Sequence, residues 1–285
     1  MEQIFILGAT GNIGTEVLRA LKSKSVKVFA GVQSESKFDK VLEFGATPII
    51  VNFENQESLN AALKGKDRVF LVTPMMQNPE TITQNVINAV KLNGIKHFVR
   101  STAAGADSKN SVQMLRWASA SEDLLRNSDI NYTIVRPATF LQNFINFMAY
   151  TIKTQNTFYA SFGNAKLSYL DLMDFGNVVS EILTSENHFG KSYNFSGSTY
   201  TMFDLSETLS SVLNRKISYV DTPEEMMEKS MLDMQIPEWI VNAMMELYSF
   251  TKQGLTDAFS EDFRTITGKD YTNAKSFFDR NKMLF

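Results

Sequence analysis

The sequence predicts an α/β protein built on a doubly wound parallel sheet, followed by a smaller, mostly helical lobe. Three observations carry this. Short apolar runs alternate with amphipathic segments through the first half, a three-glycine turn joins the first run to the first amphipathic segment, and the alternation weakens after Pro137. The runs 2–7, 26–31, 47–51, 67–72, 95–100 and 130–135 have the length and apolar content of buried strands. Between them, 12–23, 36–44, 56–64, 79–92 and 111–127 place apolar residues three and four apart, as Ile13, Val17, Leu18 and Leu21 do, so each reads as a crossover helix. The punctuation agrees: Asn78-Pro79 supplies an N-cap and a first-turn proline, and Gly65 and Gly94 stand where helix C-caps are expected.

After Pro137, Met- and Phe-rich stretches at 139–153, 223–234 and 237–253 read as helices, with short strands near 166–170, 192–195 and 216–220. This divides the chain into a sheet core over 1–137 and a substrate-side lobe over 138–285, packed as one unit, with some late strands free to return to the sheet. Met226, Met227, Met231, Met234, Met244 and Met245 read as gap-filling core side chains, since a thioether adapts to irregular apolar space.

Composition narrows the function classes. The 285 residues are 44% hydrophobic and 21% charged, the balance of an ordinary globular protein. Lys plus Arg is 28 against 31 Asp plus Glu, and a net charge of 28 − 31 = −3 gives no footprint for a phosphate backbone, so no nucleic-acid contact is expected. The absence of cysteine excludes disulfides, zinc fingers, iron–sulfur clusters and thiol nucleophiles, and His97 and His188 cannot make a His-rich metal site. His97 lies in the apolar run Ile95-Lys96-His97-Phe98-Val99 and reads as structural. No apolar run reaches the roughly 18 residues that span a membrane, and the N-terminus reads as a strand, so the chain is expected to be cytoplasmic.

The motif Gly8-Ala9-Thr10-Gly11-Asn12-Ile13-Gly14 follows the strand Gln3-Ile4-Phe5-Ile6-Leu7 and opens a helix, the context of a Rossmann-like dinucleotide fingerprint. Gly8 permits the tight turn, Gly11 lets backbone approach a pyrophosphate, and Gly14 lets the helix pack on the sheet. The end of the second strand usually decides the nicotinamide cofactor, because an acid there accepts from the ribose 2′-OH and repels a 2′-phosphate. Here the stretch holds Gln33, Ser34 and Lys37 and no acid at the strand end, so NADP(H) is favoured over NAD(H).

With these residues the chain resembles the NmrA-like atypical short-chain dehydrogenase/reductases, the group of the triphenylmethane-dye reductases and some quinone reductases. The likeness runs through the glycine turn, through Ser58-Leu59-Asn60-Ala61-Ala62-Leu63-Lys64-Gly65-Lys66-Asp67-Arg68-Val69-Phe70, through Tyr132-Thr133-Ile134-Val135-Arg136-Pro137-Ala138-Thr139-Phe140-Leu141-Gln142-Asn143, and through Gly190-Lys191-Ser192-Tyr193-Asn194-Phe195-Ser196-Gly197. It departs where Gln33 and Asn52 replace an Arg and an acid often found in the family. The resemblance implies that Thr10 to Ile13, Asn52 and Phe53, Thr73 and Pro74, and Thr102 line the cofactor, and that Pro137, Phe140 and Asn143 approach the nicotinamide.

Classical short-chain dehydrogenases and sugar epimerases use a Tyr-x-x-x-Lys pair as acid and base. The chain is read as lacking it, because the comparable part of helix 111–127 is Gln113-Met114-Leu115-Arg116-Trp117-Ala118-Ser119-Ala120-Ser121. Trp117 is a candidate wall of the nicotinamide pocket. The expected function is therefore an NAD(P)H-dependent oxidoreductase that passes a hydride to a quinone-like or dye-like acceptor. Two alternatives stand beside it: an NADP(H)-binding redox sensor that exchanges protein partners without turnover, and a nucleoside-diphosphate-sugar epimerase-like protein, against which the missing pair counts.

Overall fold

A computed structural model describes every residue except 255, 257 and 258. Strands β1 (Gln3–Leu7), β2 (Lys27–Val32), β3 (Thr47–Ile50), β4 (Arg68–Leu71), β5 (His97–Ser101) and β6 (Tyr132–Pro137) alternate with helices α1 (Asn12–Leu21), α2 (Asp39–Leu42), α3 (Gln56–Leu63), α4 (Pro79–Asn93) and α5 (Gln113–Arg126). The predicted helix over 36–44 is broken into a 3₁₀ turn, Glu35–Lys37, and the single turn α2. Elsewhere the local signals act as read: Asn78 and Pro79 open α4, and Gly94 closes it at φ 62°.

The second half adds β7 (Thr139–Phe140), α6 (Ala149–Gln155), β8 (Thr157–Ala160), β9 (Leu167–Leu170), α7 (Leu172–Leu183), β10 (Lys191–Phe195), β11 (Ser198–Tyr200), α8 (Met202–Leu213), β12 (Ser218–Asp221), α9 (Glu224–Asp233), α10 (Glu238–Lys252), α11 (Asp262–Thr267) and α12 (Ala274–Asn281). The predicted helix over 139–153 is instead a two-residue strand, a π-helical turn at Phe144–Met148, and α6. Its apolar residues face two different surroundings, so no single helical face could bury them all.

The main sheet has seven strands in the order β10-β6-β5-β4-β1-β2-β3, all parallel. Its order reverses between β1 and β4, the switch point at which ligands bind in open α/β sheets. One face is covered by α1 and α7 around Val17, Leu18, Phe175 and Val179, the other by α3, α4 and α5 around Leu59, Val86 and Leu125. A late strand, β10, thus completes the sheet, and a late helix, α7, crosses α1 so closely that a Cβ on Gly176 would lie 2.6 Å from the Glu16 carbonyl oxygen. A third core gathers Leu141, Phe144, Phe158, Tyr169, Leu205, Phe277, Phe278 and Phe285 between the small sheets β11-β9-β7 and β12-β8 and the helices α6, α8 and α12. Among the described residues no helix is long and apolar enough to cross a membrane, and no group of His, Asp and Glu could hold a metal ion.

Candidate functional site

A cleft of about 380 Å³ opens at the switch point. Its floor is the turn after β1, with Gly8, Thr10, Gly11, Asn12 and Ile13. The three glycines of the motif do different work. Gly8 has φ +85°, and a Cβ there would meet the Val72 carbonyl oxygen at 2.2 Å; a Cβ on Gly14 would meet the Gly8 carbonyl oxygen at 2.2 Å. Both are required by the protein's own packing. Gly11 is not: its nearest protein atom to a built Cβ is the Gly8 oxygen at 3.5 Å, and the rest of its surroundings is the cleft. No side chain caps the first turn of α1 and no acid stands there, so its leading amide groups and dipole end are left for an anion.

One end of the cleft is walled by Gln33 and Phe53, after β2 and β3; the middle by Val72, Thr73 and Pro74, after β4; and the roof by Phe140, Gln142, Asn143, Asn146 and Leu172. None of the described lining residues is titratable. The side-chain amides of Asn143 and Asn146 make no hydrogen bond to described protein groups, whereas Gln142 is held at both ends, Nε2 donating to Asp171 Oδ1 at 2.7 Å and Oε1 accepting from the Leu172 N–H at 3.0 Å. Behind the wall, the buried Arg100 guanidinium donates to the Thr73 hydroxyl at 3.0 Å and to the Ser101 carbonyl at 2.6 Å. Burial pulls its pKa down to about 10.

Gly8, Thr10, Gly11, Asn12, Ile13, Gln33, Phe53, Thr73, Pro74, Phe140 and Asn143, singled out from the sequence, are therefore brought together. Gly14 lies beneath the turn. Ser34 and Lys37 sit beyond Gln33 in the exposed 3₁₀ region, where the Ser34 hydroxyl lies 2.8 Å from that of Ser36. Asn52 turns its side chain to its own loop, accepting from the Glu54 N–H at 2.9 Å. Pro137 is buried at the end of β6, and Thr102 donates to the fully buried Glu122 at 2.7 Å, a carboxylate also bound by Arg136 and Arg126. Trp117 packs edge-on against Trp239 of α10, with ring centroids 6.4 Å apart, and does not line the cleft.

Sequence reasoning missed Gly31, Val32, Val72, Gln142, Asn146 and Leu172. Gln142 stood beside Asn143 in the quoted segment; for Leu172 no local signal exists. The pair Tyr-x-x-x-Lys needs a correction, because the spacing does occur twice, at Tyr248 with Lys252 and at Tyr271 with Lys275. Neither pair reaches the cleft: Tyr248 packs against Phe162, Lys252 pairs with Glu224 at 2.9 Å, Tyr271 stacks on Phe263, and Lys275 pairs with Asp279 at 2.7 Å. His97 is buried in β5; because the Thr133 hydroxyl spends its proton on the His188 carbonyl, His97 Nε2 must donate to it, leaving Nδ1 unprotonated and without a partner among the described residues.

The model of the NmrA-like family matches residues 1–277. An NAD(P)H azoreductase of Xenophilus azovorans is 30% identical over 267 residues, which is 93% of each chain. Among solved structures, the triphenylmethane reductase of Citrobacter sp. has a TM-score of 0.87 at 22% identity, over 99% of this chain and all of the other. The Escherichia coli NADPH-dependent quinone oxidoreductase complexed with NADPH also has a TM-score of 0.87, at 20% identity over 98% of this chain and 99% of the other. The family match over nearly the whole chain, on a sheet with this order and this glycine turn, means that the chain belongs to the NmrA-like family.

Proposed function

We propose that this chain is an NAD(P)H-dependent reductase that passes a hydride to a flat, electron-poor acceptor of the quinone or dye type. The observation that carries the reading is Gly11: the fold does not need a glycine there, but a ligand whose phosphates lie on the turn does. When bound, the nicotinamide supplies the hydride from its C4. The chain's own part is placement. The amides from Thr10 to Ile13 hold the pyrophosphate, Gln33 and Phe53 flank the adenosine end, and Phe140 and Asn143 bound the nicotinamide half. Gly14, Asn52, Thr102 and Pro137 act behind these surfaces by fixing the loops that carry them, and Trp117 holds α5 against α10. Residues 1–137 supply the cofactor half; residues 138–285 supply the acceptor side and also contribute α7 and β10 to the main layer.

With no titratable side chain on the lining, the proton that completes the reduction comes from water, which suits a quinone or dye better than an alcohol or a sugar. The names of the relatives, an azoreductase, a triphenylmethane reductase and a quinone oxidoreductase, support the same acceptor class. Among the described residues no side chain closes the cleft, which favours turnover over a sensor whose pocket is filled by its own side chains. NADPH is the favoured donor, since Ser34 and Lys37 follow Gln33 in the chain and no acid stands at the strand end. Stopped-flow mixing of the protein and NADPH with a panel of quinones, azo dyes and triarylmethane dyes tests the proposal. Oxidation of NADPH with at least one class supports it; tight NADPH binding with no turnover by any of them leaves the sensor.

A further inference from the structure

The roof of the cleft is held from the far end of the chain. Gln142 and Leu172 line the roof, and both are tied to Asp171, which is fully buried at the start of α7. Asp171 Oδ1 accepts from Gln142 Nε2 at 2.7 Å and from the Met173 N–H at 2.9 Å, while Oδ2 accepts from Arg280 Nη2 on α12. Two further contacts fasten the same segment. Asp174, one turn along α7, accepts from the Thr272 N–H at 2.7 Å and its hydroxyl at 3.1 Å. Phe278, two residues before Arg280, packs edge-on against Phe144 with centroids 5.3 Å apart, and Phe144 opens the π-helical turn that presents Asn146. A π-helical turn is rare, and such turns frequently stand at functional sites.

We propose that Arg280 is a positioning residue for the acceptor side of the cleft: acting through Asp171, it fixes Gln142 and Leu172 in the roof without touching cofactor or acceptor. The physical basis is the cost of a buried carboxylate whose cation is removed, which the chain relieves by swinging Asp171 toward solvent and releasing Gln142. The floor has no such dependence, because Gly8 and Gly14 are locked by backbone contacts of their own. The inference rests on the cofactor reading above.

The test compares NADPH with 2′-phospho-ADP-ribose, which retains the phosphorylated adenosine and the pyrophosphate but lacks the nicotinamide, by fluorescence and calorimetric titration of Arg280→Met and Arg280→Lys. Arg280→Met should weaken NADPH binding about tenfold and raise the acceptor KM, with 2′-phospho-ADP-ribose affinity held within about twofold. Arg280→Lys, which keeps the charge, should recover most of the loss. Should Arg280→Met fail to fold, Gln142→Ala, with Asp171 and Arg280 intact, should give the same split between the two ligands. Equal weakening of both ligands, no change in either, or a lysine variant as weak as the methionine variant would overturn the proposal. A wild type that binds neither ligand would overturn the cofactor reading and this inference together.

Discussion

The floor and the roof of the cleft are built by opposite means. The floor is the stretch from Gly8 to Gly14, the turn after β1 and the first residues of α1, and what shapes it is the steric demand of Gly8 and Gly14 on backbone atoms close by in the same turn and on β4's exit. The roof is assembled from segments 29 residues apart at Gln142 and Asp171, and 109 apart at Asp171 and Arg280. The first needs only local geometry; the second needs the whole chain folded before any one of its residues has a reason to be where it is. That difference teaches where a substitution is felt, and it can be pressed experimentally.

The largest effect is expected at the floor. Gly14→Val should prevent folding, since its Cβ would lie 2.2 Å from the Gly8 oxygen, whereas Gly11→Val should keep the wild-type circular dichroism spectrum and lose NADPH binding altogether by calorimetry. A folded Gly11→Val protein with wild-type affinity would move the cofactor elsewhere.

The main sheet should weaken in acid. Burial holds the His97 imidazole at about 3, well under its ordinary 6.5. A group whose folded pKa is depressed in this way leaves the unfolded chain to take the proton first, so stability is retained above about pH 6.5 and falls as pH drops toward 3, by about 5 kcal/mol at most. Chemical denaturation of wild type and His97→Gln across this range checks it: the variant should show the shallower dependence, and parallel curves would remove His97 from the account.

At the roof, Asn143→Ala should lower kcat/KM by up to about 10²-fold, the scale of a misplacement of about 1 Å, and Trp117→Ala should cost less, because Trp117 acts through the α5 and α10 contact. The reverse order in steady-state kinetics would return Trp117 to the pocket. The adenosine end should respond least. Lys37→Ala should shrink the preference for NADPH over NADH by about tenfold or less, and salt should shrink it in wild type, as an exposed charge is screened within about 10 Å at 0.1 M. Between about pH 6 and 8 the rate should lack a bell shape, since no paired acid and base line the cleft; a bell would bring a hidden acid into play.

Much of this was legible in one dimension. Apolar runs of strand length and the three-and-four spacing of helical segments located six strands and most of their crossovers, and the three glycines announced the cleft floor because a turn of that kind is dictated by a few adjacent residues. Motif spacing without context was less reliable: Tyr248 with Lys252 and Tyr271 with Lys275 have the catalytic spacing and stand in packing and ion-pair roles instead. The apolar run over 139–153 misled for a related reason, as Phe144 enters the third core while Phe147 is 77% exposed, a division of faces that no single helical period encodes.

By itself, then, the sequence determined the doubly wound α/β class and the glycine turn, because sterics and hydrophobic periodicity act over neighbours, whereas the switch point between β1 and β4 came from the strand order. Only the tertiary structure decided that β10 becomes the seventh strand, that α7 lies on α1 at Gly176, and that Arg280 reaches Asp171 behind Gln142. A buried carboxylate selects its cation by proximity after the chain has collapsed, and proximity between residues a hundred positions apart leaves no periodic mark along the chain.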